Sequence, residues 1–205
     1  MITREHDPRT DRRVRRTRDA IHRALIELMI EKGYEAVTVA DIITKADVGR
    51  STFYTHFTDK REVLYASIDD LAGFLRAGSQ VKGGRRLFGF SRMMFEHAHE
   101  QQELLRALLG RGGGAIVYER IRLVLADLVR DDLVPRVGPG ATVPLDLVVD
   151  GVVGAYMALL SRWLDEREPH TPHEMDVAFR RLVIPGVVSG LGITAPEGAA
   201  GTEPR

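Results

Sequence analysis

The sequence predicts an all-α protein of about nine helices, arranged as a small N-terminal unit and a larger C-terminal one. Three observations point there. Apolar residues recur at three- and four-residue spacing along most of the chain, and no stretch shows the period-two alternation of a half-buried strand. Leu, Val, Ile and Ala carry an apolar content of 44%, while aromatic residues make up 6%. Glycine-rich stretches punctuate the periodic segments.

Taken in order, residues 12–32 place Ala20, Ile21, Ala24, Leu25, Leu28 and Met29 on one helical face. Gly33 is a C-cap candidate. Thr38 opens a short second helix, with its hydroxyl capping the first turn and Asp41 completing a capping box; Val39, Ile42 and Ile43 form its inner face. Residues 46–49 make a tight turn into a third helix over 50–57. Asp59 caps a fourth, whose buried stripe is Val63, Leu64, Ile68, Leu71, Ala72 and Leu75. Residues 78–84 read as a linker. Further helices are expected over 85–100, 102–109, 115–133, 144–167 and 173–191, the last bent or broken near Pro185, with breaks at 110–114 and 135–144. The expected organisation is a flexible basic arm (1–11), a helix-turn-helix domain (12–61), a connecting helix (62–78), a regulatory and dimerisation domain (79–191) and a disordered tail (192–205).

Composition removes several function classes. The 205 residues contain no cysteine, which excludes disulfides, thiolate metal sites and thiol catalysis. The N-terminus is polar and Arg-rich rather than apolar, so no signal peptide is expected. No run approaches about 18 consecutive apolar residues, so no membrane span is expected either. A soluble cytoplasmic protein is the expectation. The net charge is formally zero, but residues 1–61 hold 13 Lys and Arg against 10 Asp and Glu, whereas the remainder holds 16 against 19. The positive charge sits at the end where a phosphate contact would need it. The run from Arg12 to Arg18 can reach a neighbouring groove or phosphates, or serve as a solvated first turn.

Enzyme signatures are weak. Residues 110–115 match a dinucleotide pattern, G-x-G-x-x-A, but that pattern requires a preceding strand, and Glu103 to Leu109 reads as helix. His97 and His99 diverge by about 200° on a helix and cannot share a metal. No catalytic residue, metal site or cofactor is expected.

The third helix carries the chemistry. A pair of short helices joined by a tight turn is more often a packing unit than a DNA reader, so the polar face decides. Phe53 and Phe57, four apart, anchor the helix to the core. Arg50, Ser51, Thr52, Tyr54, Thr55 and His56 are left facing outward. None is acidic, and a carboxylate there would repel phosphate. A helix-interaction module without DNA binding would show acids or bulky apolar residues on that face instead. Thr38 stands at a helix N-terminus, which favours an anion, and Lys60 and Arg61 follow the third helix.

These residues resemble the DNA-binding domain of TetR/AcrR-type regulators over about residues 15–68. The matching signature is Gly33-Tyr34, Thr38-Val39-Ala40-Asp41-Ile42, Val48, then Thr52-Phe53-Tyr54-Thr55-His56-Phe57 with Asp59-Lys60. The chain departs from the family at the turn, with Asp47 and Gly49 where Gly and then Ser are common, so a hydroxyl N-cap on the third helix is missing. The resemblance implies phosphate contacts from Thr38, Tyr54, His56 and Lys60. It implies base-edge contacts from Arg50, Ser51, Thr52 and Thr55, with Arg50 suited to guanine. It further implies a homodimer on an inverted-repeat operator, built from the helices near 144–167 and 173–191, where Gly151, Gly154, Ala155 and Ala158 permit close approach. A ligand-responsive repressor is the implied function, with an activator of the same fold as the alternative. Candidates for lining an effector pocket are Met94, His97, Tyr118, Tyr156 and Trp163; each can equally be a core residue.

Overall fold

The computed structural model describes residues 8–81, 86–109, 115–165 and 170–193. Among them lie nine α-helices and one 3-10 turn: α1 (Pro8–Lys32), α2 (Val39–Lys45), α3 (Arg50–His56), α4 (Lys60–Val81), α5 (Phe90–Glu100), α6 (Gln102–Leu109), α7 (Ala115–Leu133), the turn Val134–Arg136, α8 (Leu145–Asp165) and α9 (Pro172–Gly190). The glycine run 110–114, the tail from 194 and the arm before residue 8 fall outside the described residues, as do expectations resting on them. The chain divides into two compact units, one of residues 1–74 with 100–121, the other of 75–99 with 122–205. The N-terminal unit is therefore larger than the expected 12–61, and the division falls inside α4 and α7 rather than in linkers.

In the first unit α1 ends where Gly33 adopts φ +76, its N–H donating to the Met29 carbonyl at 2.9 Å. The core gathers Ile21, Leu25 and Met29 of α1, Val37, Ile42 of α2, Phe53 and Phe57, Val63 of α4 and Val117 of α7. Thr38 caps α2 through the expected reciprocal box with Asp41. Asp47 takes the left-handed conformation at φ 51, which turns the chain into α3. Gly49 is the N-cap of α3 and supplies no side-chain hydrogen bond, as its lack of a hydroxyl requires.

Helix α4 runs through the expected linker at Gly78 as far as Val81. Gly78 lies against Met93: a Cβ there would meet the end of that flexible side chain, which would have to move. A flexible loop and a close approach look alike in sequence, because both favour glycine.

In the second unit α5 begins at Phe90 rather than at 85, because Phe88 sits at φ 55 and breaks the helical run. Phe88 is fully buried, its N–H donates to Asp132 Oδ2 at 2.6 Å, and its carbonyl accepts from Ser91 Oγ at 2.8 Å. An aromatic core surrounds it. Phe95 lies 4.7 Å from Tyr156 and 5.7 Å from Trp163, and Phe179 lies 5.3 Å from Tyr156 (ring centroids). Helix α9 starts with a second capping box, Thr171 with Glu174, and Pro172 in its first turn. It then continues past Pro185 as one helix, so of the expected bend or break the break does not occur.

Helix α8 packs on α9 and buries Val149, Val152, Val153, Tyr156, Met157, Leu160, Trp163 and Leu164. Its opposite face is exposed at Leu147, Gly151, Gly154 and Ala158. By length and composition alone α8 is long and apolar enough to cross a membrane, although Asp146 and Asp150 interrupt its apolar run, and 44% of its most apolar window is buried inside the protein.

Candidate nucleic-acid interface

Helix α3 is only seven residues long, and two rings fix it. Phe53 is fully buried and Phe57 is 2% exposed, their centroids 6.1 Å apart. Anchoring at i and i+4 on the inner side leaves Arg50, Ser51, Tyr54 and Thr55 exposed, and Thr52 and His56 half-buried at the edges. The outer face therefore assembles as the sequence suggests, with no acidic residue on the helix. Arg50 stacks its guanidinium over the Tyr54 ring at 5.8 Å, within reach of a cation–π contact. The hydroxyl of Thr55 donates to the Ser51 carbonyl at 2.8 Å, leaving its lone pairs outward.

Two expected contributors stand differently. Lys60 does not project as a free cation. Its Nζ donates to the carbonyls of Tyr34 at 2.9 Å, Glu35 at 3.2 Å and Val37 at 2.9 Å, and lies 4.5 Å from the Tyr34 ring centroid. Those carbonyls follow the end of α1, where unsatisfied acceptors attract a cation. Thr38 likewise spends both donors on one carboxylate, its N–H at 2.7 Å and its hydroxyl at 2.6 Å from Asp41 Oδ2. A salt bridge at 2.8 Å from Lys32 completes that cluster. Hydrogen bonds from Lys32 and Thr38 hold the Asp41 carboxyl well below the usual carboxylate range. The N-terminus of α2 is thus already occupied by a negative charge of its own chain. For Thr38 the partner is local and belongs to the expected capping box, whereas for Lys60 it is the loop 33–37 folding beside it, which residue type does not reveal.

Sequence reasoning missed the brace behind α3. Arg18 of α1 lies over the Phe57 ring at 4.9 Å, and the His22 ring is 5.3 Å from it. Burial pushes the His22 imidazole below its ordinary value, and its Nε2 is buried without a hydrogen-bond partner. The aromatic position at 57 was the available signal. At the start of α4, Thr58 donates through its N–H at 2.6 Å and its hydroxyl at 2.7 Å to Glu62, which lowers the Glu62 carboxyl.

The five expected pocket residues are divided between the two units. Tyr118 belongs to the first unit and is 43% exposed, whereas Met94, His97, Tyr156 and Trp163 belong to the second. Trp163 spends its indole N–H on the His170 carbonyl at 2.6 Å. Tyr156 is buried with an unpartnered hydroxyl, and burial, with the nearby Asp176, pushes that phenol well above its ordinary value. Asp176 is itself buried and accepts from Ser91 Oγ.

Residues 21–66 match the model of the bacterial regulatory proteins, tetR family. The chain is 41% identical over 66 residues to the uncharacterized HTH-type transcriptional regulator YxbF of Bacillus subtilis, a match covering 32% of this chain and 17% of that relative. It thus spans about a sixth of the length of that curated relative. A TetR transcriptional regulator from Streptococcus agalactiae aligns over 85% of this chain and 97% of its own, at 26% identity and a TM-score of 0.65. RolR, solved in complex with resorcinol, shares the fold at 21% identity and a TM-score of 0.56, covering 91% of this chain and 98% of its own.

Proposed function

We propose that this chain, whose residues 21–66 match the model of the bacterial regulatory proteins, tetR family, is a transcriptional regulator that binds double-stranded operator DNA in the cytoplasm. The observation that carries this is the acid-free outer face of α3, held outward by Phe53 and Phe57. A helix so presented fits the major groove of B-DNA. Arg50, Ser51 and Thr52 at its N-terminal end, with Thr55, reach base edges. Tyr54 and His56 reach backbone oxygens, while Thr38 and Lys60 act behind the interface by fixing α2 and α4.

The reading extends to a homodimeric, ligand-responsive repressor without catalytic activity. One seven-residue helix reads few base pairs, so a two-fold pair on an inverted repeat supplies the affinity. The exposed small-residue face of α8 and the exposed Leu182, Pro185 and Gly186 of α9 offer a surface for helix-on-helix pairing. An effector in the second unit is favoured by Tyr156, whose unsatisfied hydroxyl would gain a hydrogen bond from a polar ligand. Resorcinol on RolR is one such polar aromatic. An activator would use the same contacts.

The experiment is selection from a random-sequence duplex library, followed by footprinting of the enriched sequence. An inverted repeat protected on both halves is expected. Failure to enrich any sequence sinks the operator-binding reading, and a single unpaired half-site sinks the dimeric one.

A further inference from the structure

We propose that the arginines at the start of α1 form a second DNA contact, a phosphate clamp outside the base pairs read by α3. This rests on the DNA-binding reading above and adds a surface to it.

Helix α1 begins at Pro8, but its buried stripe begins only at Ile21. Arg12, Arg13, Arg15 and Arg16 are all exposed and contribute nothing to the core. A helical segment without packing draws little stability from propensity alone, and this one spends its surface on cations. Residues 12–18 hold five arginines and no acid. Among the described residues, Glu27, Glu31 and Lys32 of α1 form ion pairs, and all three lie in its C-terminal half.

Position supplies the second argument. Arg18 lies over Phe57 at 4.9 Å, and Phe57 is the residue that closes α3. The basic segment therefore departs from the core beside the C-terminal end of α3. At about 1.5 Å of rise per residue, Arg12 stands roughly 9 Å along the axis beyond Arg18. B-DNA carries one charge per about 1.7 Å of axis, so a segment of that length beside a duplex meets several phosphates. At about 100° per residue the four arginines fall within an arc of about 160°, one broad basic face of the helix. A face that broad suits a row of backbone oxygens along a groove rim, which it can meet with several cations at once. The guanidinium, planar and always charged, pairs with phosphate through two parallel hydrogen bonds.

The test compares the full chain with a variant carrying Arg12→Gln, Arg13→Gln, Arg15→Gln and Arg16→Gln, keeping Arg18 because it packs on Phe57. Binding to a duplex enriched by the full chain is measured by fluorescence anisotropy across a range of KCl. Every phosphate left unneutralised flattens the plot of log Kd against log salt by about 0.9, so a change of roughly 2 to 4 is expected, with weaker binding at low salt and an unchanged enriched sequence on reselection. Equal slopes overturn the clamp while leaving the operator reading intact. A changed enriched sequence assigns the segment to base reading and overturns it as well. Equal slopes with abolished binding to phosphatidylglycerol vesicles would assign it to a lipid surface, again overturning it. If the parent protein binds no duplex, the operator reading fails and the clamp with it. Circular dichroism and a melting curve on both proteins establish that the variant is folded.

Discussion

The Lys60 ammonium donates to the Tyr34 carbonyl at 2.9 Å while standing 4.5 Å from the centroid of the same residue's ring. With the Glu35 and Val37 carbonyls as further acceptors, the first residue of α4 ties down the loop that follows α1. Lys60→Met should therefore lower stability by about 1.5–3 kcal/mol, the range for hydrogen bonds to a charged group. It should leave base preference unchanged. Denaturant unfolding checks this, and a parent-like midpoint would return Lys60 to the phosphate-contacting group.

Arg50 is the exposed guanidinium at the start of α3, stacked over Tyr54. Arg50→Ala should relax preference at one base pair per half-site, costing about 1–3 kcal/mol on the preferred sequence and little on its single-base variants. Competition binding with the variant duplexes measures this. Uniform weakening over all of them would make Arg50 a backbone contact.

Tyr156 buries a hydroxyl that finds no partner. Tyr156→Phe removes that desolvated group without removing the ring from its contacts with Phe95 and Phe179, so stability should rise by about 1 kcal/mol in effector-free protein. A fall in the unfolding midpoint instead would mean that the hydroxyl is satisfied in solution.

His22 should make the fold sensitive to mild acid. Its folded value lies below the ordinary 6.5, chiefly because burial disfavours the imidazolium. The unfolded chain therefore binds the proton more readily, so the contribution is complete above 6.5 and is lost as pH falls through the lower folded value. The carboxyls of Asp41 and Glu62, also lowered, titrate beneath that window and do not blur it. Unfolding at about pH 7.5 and pH 5.5 should show a loss in the parent that His22→Gln reduces. An identical loss in both proteins would place the sensitivity elsewhere.

Gly154 is exposed on α8 with nothing within 4 Å of where a Cβ would stand. Gly154→Leu should leave the monomer fold intact, yet it obstructs close approach of a second copy along that face. Sedimentation should show a shift from dimer to monomer in the variant. An unshifted dimer would move the interface away from α8.

The sequence by itself determined the helices and the two ends of α2, because helical periodicity and the Thr38–Asp41 box are local, acting within four residues. It also determined which side chains of α3 face outward, since Phe53 and Phe57 at one turn's spacing leave the others no inner position. It did not determine α5, whose start waits on Phe88 being held in a left-handed turn by Asp132, 44 residues away. Gly78 reads as a linker in sequence, yet it lies inside α4 with the Met93 side chain against it. Lys60 has the residue type of a phosphate ligand, but the carbonyls of the loop after α1 accept from it. Tertiary structure decided these because a donor, a glycine or a turn is defined by what lies opposite it in space, and those partners lie up to dozens of residues away along the chain.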